Sequence, residues 1–395
     1  MNHSAQMDPF PFWPHYAGDE IEAVNRVLAS GKVNYWTGDE CGLFEREYAE
    51  ASGCRHAVAL MNGTAALELA LHALDIPAGS EVVTTPRTFI ASASSAVVRG
   101  CTPVLAEVDP DSGNLTAETI AKVLTPRTRA VIAVHLAGWP CDMDPIMDLA
   151  GRHGLKVIED CAQANGATYR ERPVGSLGHV GCFSFCQDKI ITTGGEGGML
   201  TCNDPEVWRR AWEYKDHGKS YEAVFNREHA PGFRWLHESF GTNFRMTALQ
   251  AAIGRAQLRK LPEWNQLRRA HMNRLFDGLE DLPALRIPRA GAHLGHAAYK
   301  AYVYLRPERL RQGWSRERII TEVNAAGVPC YSGSCSEIYL EKAFTRSGLG
   351  PAERFPVARE LGETSLMFLV HPTLEARHID RTIQVVREVF AEAQR

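Results

Sequence analysis

No apolar stretch in this chain reaches the roughly 18 residues that a membrane-crossing helix requires, so a membrane-spanning role is not expected. No long basic run interrupts a composition of 43 Lys+Arg against 47 Asp+Glu, which argues against nucleic acid or a membrane surface as the main partner and toward small molecules. Cys-x-x-Cys pairs are missing too. The 10 cysteines are scattered, and several, such as Cys101 and Cys202, sit in apolar runs where a free thiol packs as a small hydrophobe. That pattern points to a reducing cytoplasm. Cys182 and Cys186 are four apart, but no His or Cys cluster completes a zinc site around them, so no metal is expected. The opening MNHSAQMDPFPFWPHY lacks the basic and apolar regions of an export signal, and no internal repeat or low-complexity tract follows it.

What is present is an ordinary globular composition, 45% hydrophobic and 23% charged, over 395 residues. That length exceeds a single core and predicts a large domain with a smaller one. Short apolar runs at 56–60, 81–85, 102–108, 130–136, 155–160, 181–186 and 197–202 read as strands. Helical patterns lie among the earlier elements, at Asp19 to Ser30, Thr64 to Leu74 and Met143 to His153. Strand alternating with helix predicts an α/β fold whose mainly parallel sheet is flanked by helices. Near residue 246 the pattern changes to one long or broken helical stretch, Met246 to Leu279. A strand at 298–305 and helices at Ser315 to Ala326 and Ala376 to Ala393 follow. These shifts divide the chain into an N-terminal arm, 1–20, a large domain, 21–250, and a small α+β domain, 251–395.

Ligands of open α/β sheets bind beyond the carboxyl ends of the strands, which directs attention to four places. Asn62-Gly63-Thr64-Ala65-Ala66 follows a strand and opens a helix; it suits a phosphate, or is simply a helix cap. Asp160 closes a strand, with Gln163 three residues on. Such a carboxylate can hold a protonated heteroaromatic nitrogen, or merely cap a loop. In FSFCQDKIITTGGEGGML at 183–200, Ser184 ends a strand and Lys189 lies in a mostly uncharged segment, the setting in which a lysine loses its proton and serves as nucleophile or base. The glycines at 194, 195, 197 and 198 precede a strand rather than open a helix, which excludes a dinucleotide or P-loop reading. Finally, Asn243 and Arg245 stand just before a helix, where an amide and a guanidinium suit phosphate or carboxylate.

Taken in order, SGKVNYWTG, NGTAAL, TPRTFIAS, VHLAGWPCDMD, IEDCAQA, SFCQDKIITTGGEGG and TNFRMT make the chain resemble the DegT/DnrJ/StrS family of pyridoxal 5′-phosphate (PLP)-dependent sugar aminotransferases. This family is a branch of the aspartate-aminotransferase type I fold. The resemblance implies that Lys189 carries PLP as a Schiff base and that Asp160 pairs with the pyridinium nitrogen. Gln163 would sit near the ring oxygen and Phe89 would stack on the ring. Ser184 with the backbone of Thr64 and Ala65, next to Gly63, would hold the phosphate. Asn243 matches a residue that reaches the phosphate of the neighbouring subunit, so a homodimer with shared sites is implied. Many relatives carry His where this chain has Cys186. Dehydratase relatives replace the lysine, whereas this chain keeps Lys189, which points to transamination from glutamate to a keto sugar, nucleotide-linked or of the aminocyclitol type. His135 also fits a family motif, although a strand-end His satisfied by its neighbours is the plainer reading. Arg245, His135 and Lys219 are the candidate substrate contacts, the last within a long aromatic- and cation-bearing segment, 216–241.

Overall fold

A computed structural model describes residues 9–395. The first eight residues of the expected arm lie outside the described residues; residues 9–17 run without helix, and Gly18–Ser30 is helical. Seven strands form the main sheet: β1 (His56–Leu60), β2 (Glu81–Thr84), β3 (Thr102–Leu105), β4 (Thr128–Val134), β5 (Lys156–Asp160), β6 (Val180–Ser184) and β7 (Gly198–Cys202). They are arranged in the order β1-β7-β6-β5-β4-β2-β3. All seven coincide with the apolar runs read from the sequence. Only β7 runs antiparallel, pairing with β1 on one side and β6 on the other. The run 102–108 overshoots β3 by three residues because ordered pairing with β2 ends at Leu105.

The sheet is covered on both faces, so its strands are apolar throughout rather than alternating. Val82, Ile132 and Ile158 face one core with Leu67 and Leu71 of the helix Gly63–Ala73. Their neighbours Val83, Val131 and Val157 face the other, with Phe44, Tyr48 and Ile146. A second sheet of four strands, at 285–286, 301–305, 365–368 and 330–331, packs with the closing helix Ala376–Ala393 around its own core. The helix Ala248–Asp277 joins the two parts without a break, although Pro262 lies inside it. Residue 250, where the pattern divides the chain, falls in the first turn of that helix. No helix of the described residues is long and apolar enough to cross a membrane.

Gly254 sets how closely this long helix approaches the helix Glu40–Ala51. A Cβ there would lie 2.5 Å from Phe44 Cζ and 2.9 Å from Thr193 Cγ2. Gly254→Ala is therefore expected to destabilise the fold by about 1–3 kcal/mol through overpacking, less the gain of up to about 1 kcal/mol in helix propensity. The check is the midpoint of urea unfolding, which should fall; an unchanged or raised midpoint would show that the crossing relaxes freely.

Candidate active site

Where β1 ends, Asn62 caps the Gly63–Ala73 helix, its Oδ1 accepting the Ala65 N–H at 2.8 Å. A Cβ on Gly63 would lie 2.7 Å from Ser184 Cβ, so only glycine lets the start of this helix touch the end of β6. The contact places the Ser184 hydroxyl at the positive end of the helix. Ser184 Oγ accepts the Cys186 N–H at 3.3 Å, which leaves its own proton to donate. Gly63 and Thr64 open the helix, where N–H groups have no carbonyl one turn back. Both line a cavity of about 1090 Å³. Ala65 does not: it is buried, and its N–H is taken by Asn62. The segment is thus both a cap and a candidate anion cradle, with Thr64 but not Ala65 available to a ligand.

At the end of β5, Asp160 is buried yet borders the same cavity. Its Oδ2 accepts the Ser92 hydroxyl at 2.7 Å and its Oδ1 the Ala162 N–H at 3.1 Å. Ser92 in turn lies 2.9 Å from the Thr88 hydroxyl. Gln163 Oε1 accepts the Ala137 N–H at 2.8 Å, which identifies the oxygen and leaves the amide NH₂ as the free donor. Phe89, 69% exposed, presents a ring to the cavity. Lys189 follows β6 and lines it as well, with Nζ 5.1 Å from the centre of the Tyr299 ring. Tyr299 donates to Asp188 Oδ2 at 2.5 Å, and Lys300 Nζ is 3.8 Å from that same oxygen. Ser92, Tyr299, Lys300 and the arm residue Trp13 were not found by sequence reasoning; a strand pattern at 298–305 was the only signal near two of them.

An aldehyde-bearing pyridine phosphate fits this donor set. A lysine amine, an oriented carboxylate, a hydroxyl beside a helix N-terminus and an exposed aromatic face all meet in one cavity large enough for cofactor and substrate.

Four expected residues lie elsewhere. His135 is fully buried, its Nδ1 accepting the Cys141 N–H at 2.9 Å. The ring is therefore the tautomer that donates from Nε2, to Glu159 Oε2 at 3.0 Å. The expectation of His135 as a substrate contact is corrected: no ligand reaches it, because neighbours satisfy both ring nitrogens. Glu159 also accepts the N–H groups of Gly175, Leu177 and Gly178 at 2.9, 2.8 and 2.7 Å. His135, Glu159 and Cys161 bring possible metal-ligand atoms within 4.8 Å of one another. These four bonds already occupy Glu159, and burial pushes the Cys161 thiol well above its ordinary range, away from the thiolate a metal needs. Arg245 and Lys219 converge instead on Asp216 Oδ1, at 2.7 and 3.0 Å. Asn243 is exposed, bridges to Asp216 through its backbone and does not line the cavity.

Residues 14–387 match the DegT/DnrJ/EryC1/StrS aminotransferase family, and the chain belongs to it. Its relatives include the GDP-perosamine synthase of Caulobacter vibrioides, 40% identical over 88% of this chain and 89% of that protein. Another is the dTDP-3-amino-3,4,6-trideoxy-alpha-D-glucose transaminase of Streptomyces venezuelae, 35% identical over 93% and 90%. Among solved structures, an aminotransferase from Psychrobacter cryohalolentis is 57% identical, covers 97% of this chain and 99% of its own, and superposes with a TM-score of 0.95. PLP is the cofactor of the family.

The buried hydrogen bonds of Glu159 carry a prediction of their own. Glu159→Gln turns one acceptor into a donor facing N–H groups, and should cost about 3 kcal/mol of stability in urea unfolding. A loss below about 1 kcal/mol would mean that water or a shifted loop replaces these bonds.

Proposed function

We propose that this family member transfers an amino group from glutamate to a keto sugar carried on a nucleoside diphosphate, as a step in amino-sugar synthesis for a surface polysaccharide or antibiotic. The observation that carries this reading is the convergence of Lys189, Asp160 and Ser184 on one cavity of about 1090 Å³. When bound there, PLP supplies an aldehyde that takes up the amine and a ring that withdraws electrons from the neighbouring carbon.

The roles of the residues follow from their surroundings. Asp160, oriented by Ser92 and Ala162, holds the pyridine nitrogen in its protonated form. Ser184 donates to the phosphate together with the N–H groups of Gly63 and Thr64, where the helix end favours a dianion. The Gln163 NH₂ would be the donor for the ring hydroxyl, and Phe89 would supply an aromatic face for the ring. Lys189 anchors the cofactor. Its amine, when not engaged with the cofactor, would take a proton from the donor α-carbon and, in the second half-reaction, would deliver one to the carbon that accepts nitrogen. Glutamate leaves as its 2-oxo acid. Cys186 occupies a position at the cavity where many relatives have His, so this chain meets its substrate there with a small thiol.

We further infer a homodimer in which Asn243 completes the partner's phosphate site. Its exposure and its place outside the cavity of its own chain support this reading, as do the exposed rings of Phe233, Trp235 and Phe240 nearby in sequence. The cytoplasm is the proposed location, since nucleotide sugars are made there and all ten cysteines are free.

The purified protein is expected to be yellow and to bleach with glutamate while releasing 2-oxoglutarate. Borohydride should fix the cofactor on the peptide containing Lys189; fixation on any other lysine would overturn the assignment. Mass spectrometry of reactions with keto-sugar nucleotides and with cyclic ketones identifies the acceptor, and amination of the cyclic ketones alone would refute the nucleotide-sugar reading. Asp160→Ala should fold normally and lose about 10²–10³-fold in kcat. Near-normal turnover would remove the ring-nitrogen role.

Shared sites predict a second result. Lys189→Ala spoils a site through its own chain and Asn243→Ala through its neighbour's, so mixed dimers hold one site with both defects and one with neither. Activity should return on refolding the two variants together. Mixed dimers that stay as inactive as the parents would place Asn243 in its own chain's site or in none.

A further inference from the structure

The arm residues Phe10 to Trp13 line the cavity that holds Lys189, although they lie far from it in sequence. The indole N–H of Trp13 donates to the Lys189 carbonyl at 2.8 Å, across 176 positions of chain. The lysine's own N–H donates to Cys186 O at 3.1 Å. Both backbone polar groups of Lys189 are thus engaged, one inside its own turn and one by the arm.

Trp13 is itself held on several sides. Trp264 meets it edge-on, with centroids 5.1 Å apart and planes at 89°, and His371 lies roughly parallel at 6.2 Å and 22°. The Arg268 guanidinium carbon stands 5.0 Å from the Trp13 ring centre. Arg268 is buried; among the described residues its Nε and Nη2 have no hydrogen-bond partner, and its Nη1 reaches only the Tyr299 carbonyl at 3.4 Å. A guanidinium with so few acceptors gains most from a ring face, and indole offers the strongest. Thr373 Oγ1 donates to the Phe12 carbonyl at 3.1 Å, and Phe10 packs on the His378 ring at 5.4 Å, which anchors the arm along the second domain's core.

We propose that Trp13 is a positioning residue for Lys189, through which the N-terminal arm fixes the backbone of the cofactor lysine. The inference rests on Lys189 being that lysine. A side chain that first anchors a cofactor and then moves protons must deliver Nζ to two places on a flexible four-carbon stem. A fixed Cα limits the positions that Nζ samples, and small misplacements of a reacting group are costly in rate.

The test is Trp13→Phe, which keeps an aromatic face for Arg268 and His371 while removing the N–H together with part of the indole ring. The variant should retain cofactor through gel filtration, keep its KM for glutamate within about twofold, and lose about 3- to 10-fold in kcat, as expected for one hydrogen bond. The pH midpoint of the visible cofactor band should also shift, a readout that a merely structural role would not move. Trp13→Ala, lacking the ring, should lose more on both measures. A Trp13→Phe protein with wild-type kcat and band midpoint, whether or not its thermal stability falls, would overturn the proposal. Borohydride mapping of the wild type separates the two ways of failing. Fixation on Lys189 with an unaffected Trp13→Phe variant refutes positioning alone; fixation elsewhere refutes the lysine assignment on which it rests.

Discussion

Two adjacent carboxylates, Glu159 and Asp160, are buried at the end of β5, and the site depends on their different surroundings. Side chains alternate across a strand, so the two point to opposite faces. Glu159 points into the scaffold, where three backbone N–H groups and His135 leave it no capacity for a ligand. Asp160 points toward the cavity with donors from Ser92 and Ala162 and keeps acceptor capacity on that side. Both stay buried because hydrogen bonds replace the water they lose. The first thereby fixes the loop at 175–178, while the second is available to a ligand cation. A one-residue slip of β5 would exchange these roles, and the parallel pairing of Ile158 to Asp160 with Val180 to Cys182 prevents it.

That arrangement explains which parts of the molecule could be read in the chain. The strands were legible because burial on both faces makes each an uninterrupted apolar run, closed by polar residues where the sheet stops. Asp160 and Ser184 were singled out as polar residues at the ends of such runs, and Lys189 as a lone cation in the mostly uncharged segment that follows one. His135 stands in an equivalent place, but its fate is set by Glu159 and Cys141, whose approach no local pattern announces. Ala65 shows a subtler limit: the Asn62 cap that signals a helix start also takes the N–H that a phosphate might have used. Lys219 and Arg245 looked like substrate cations until the fold supplied Asp216 between them. Trp13, Ser92 and Tyr299 were invisible because their significance lies wholly in partners far along the chain.

The cavity needs both halves of the chain, and two buried guanidiniums contribute to joining them. Arg87, two residues before Phe89, donates to Ser336 Oγ at 2.6 Å and lies 5.4 and 5.8 Å from the ring centres of Tyr302 and Tyr304. Arg268 does the corresponding work between the long helix, Trp13 and Tyr299. Each leaves nitrogens without a hydrogen-bond acceptor among the described residues, an arrangement that closely packed rings help to make tolerable. Lysine would not serve, because a compact ammonium is more strongly hydrated and cannot lie flat between a ring and a carbonyl. The joint is therefore sensitive to shape. If the second domain shifts, Tyr302 and Tyr304 withdraw from Arg87, and that buried charge loses what offsets its desolvation. Stability of the closed arrangement and placement of Phe89 and Lys189 at the cavity thus rest on the same contacts, which couples the geometry of the site to the packing of the two halves.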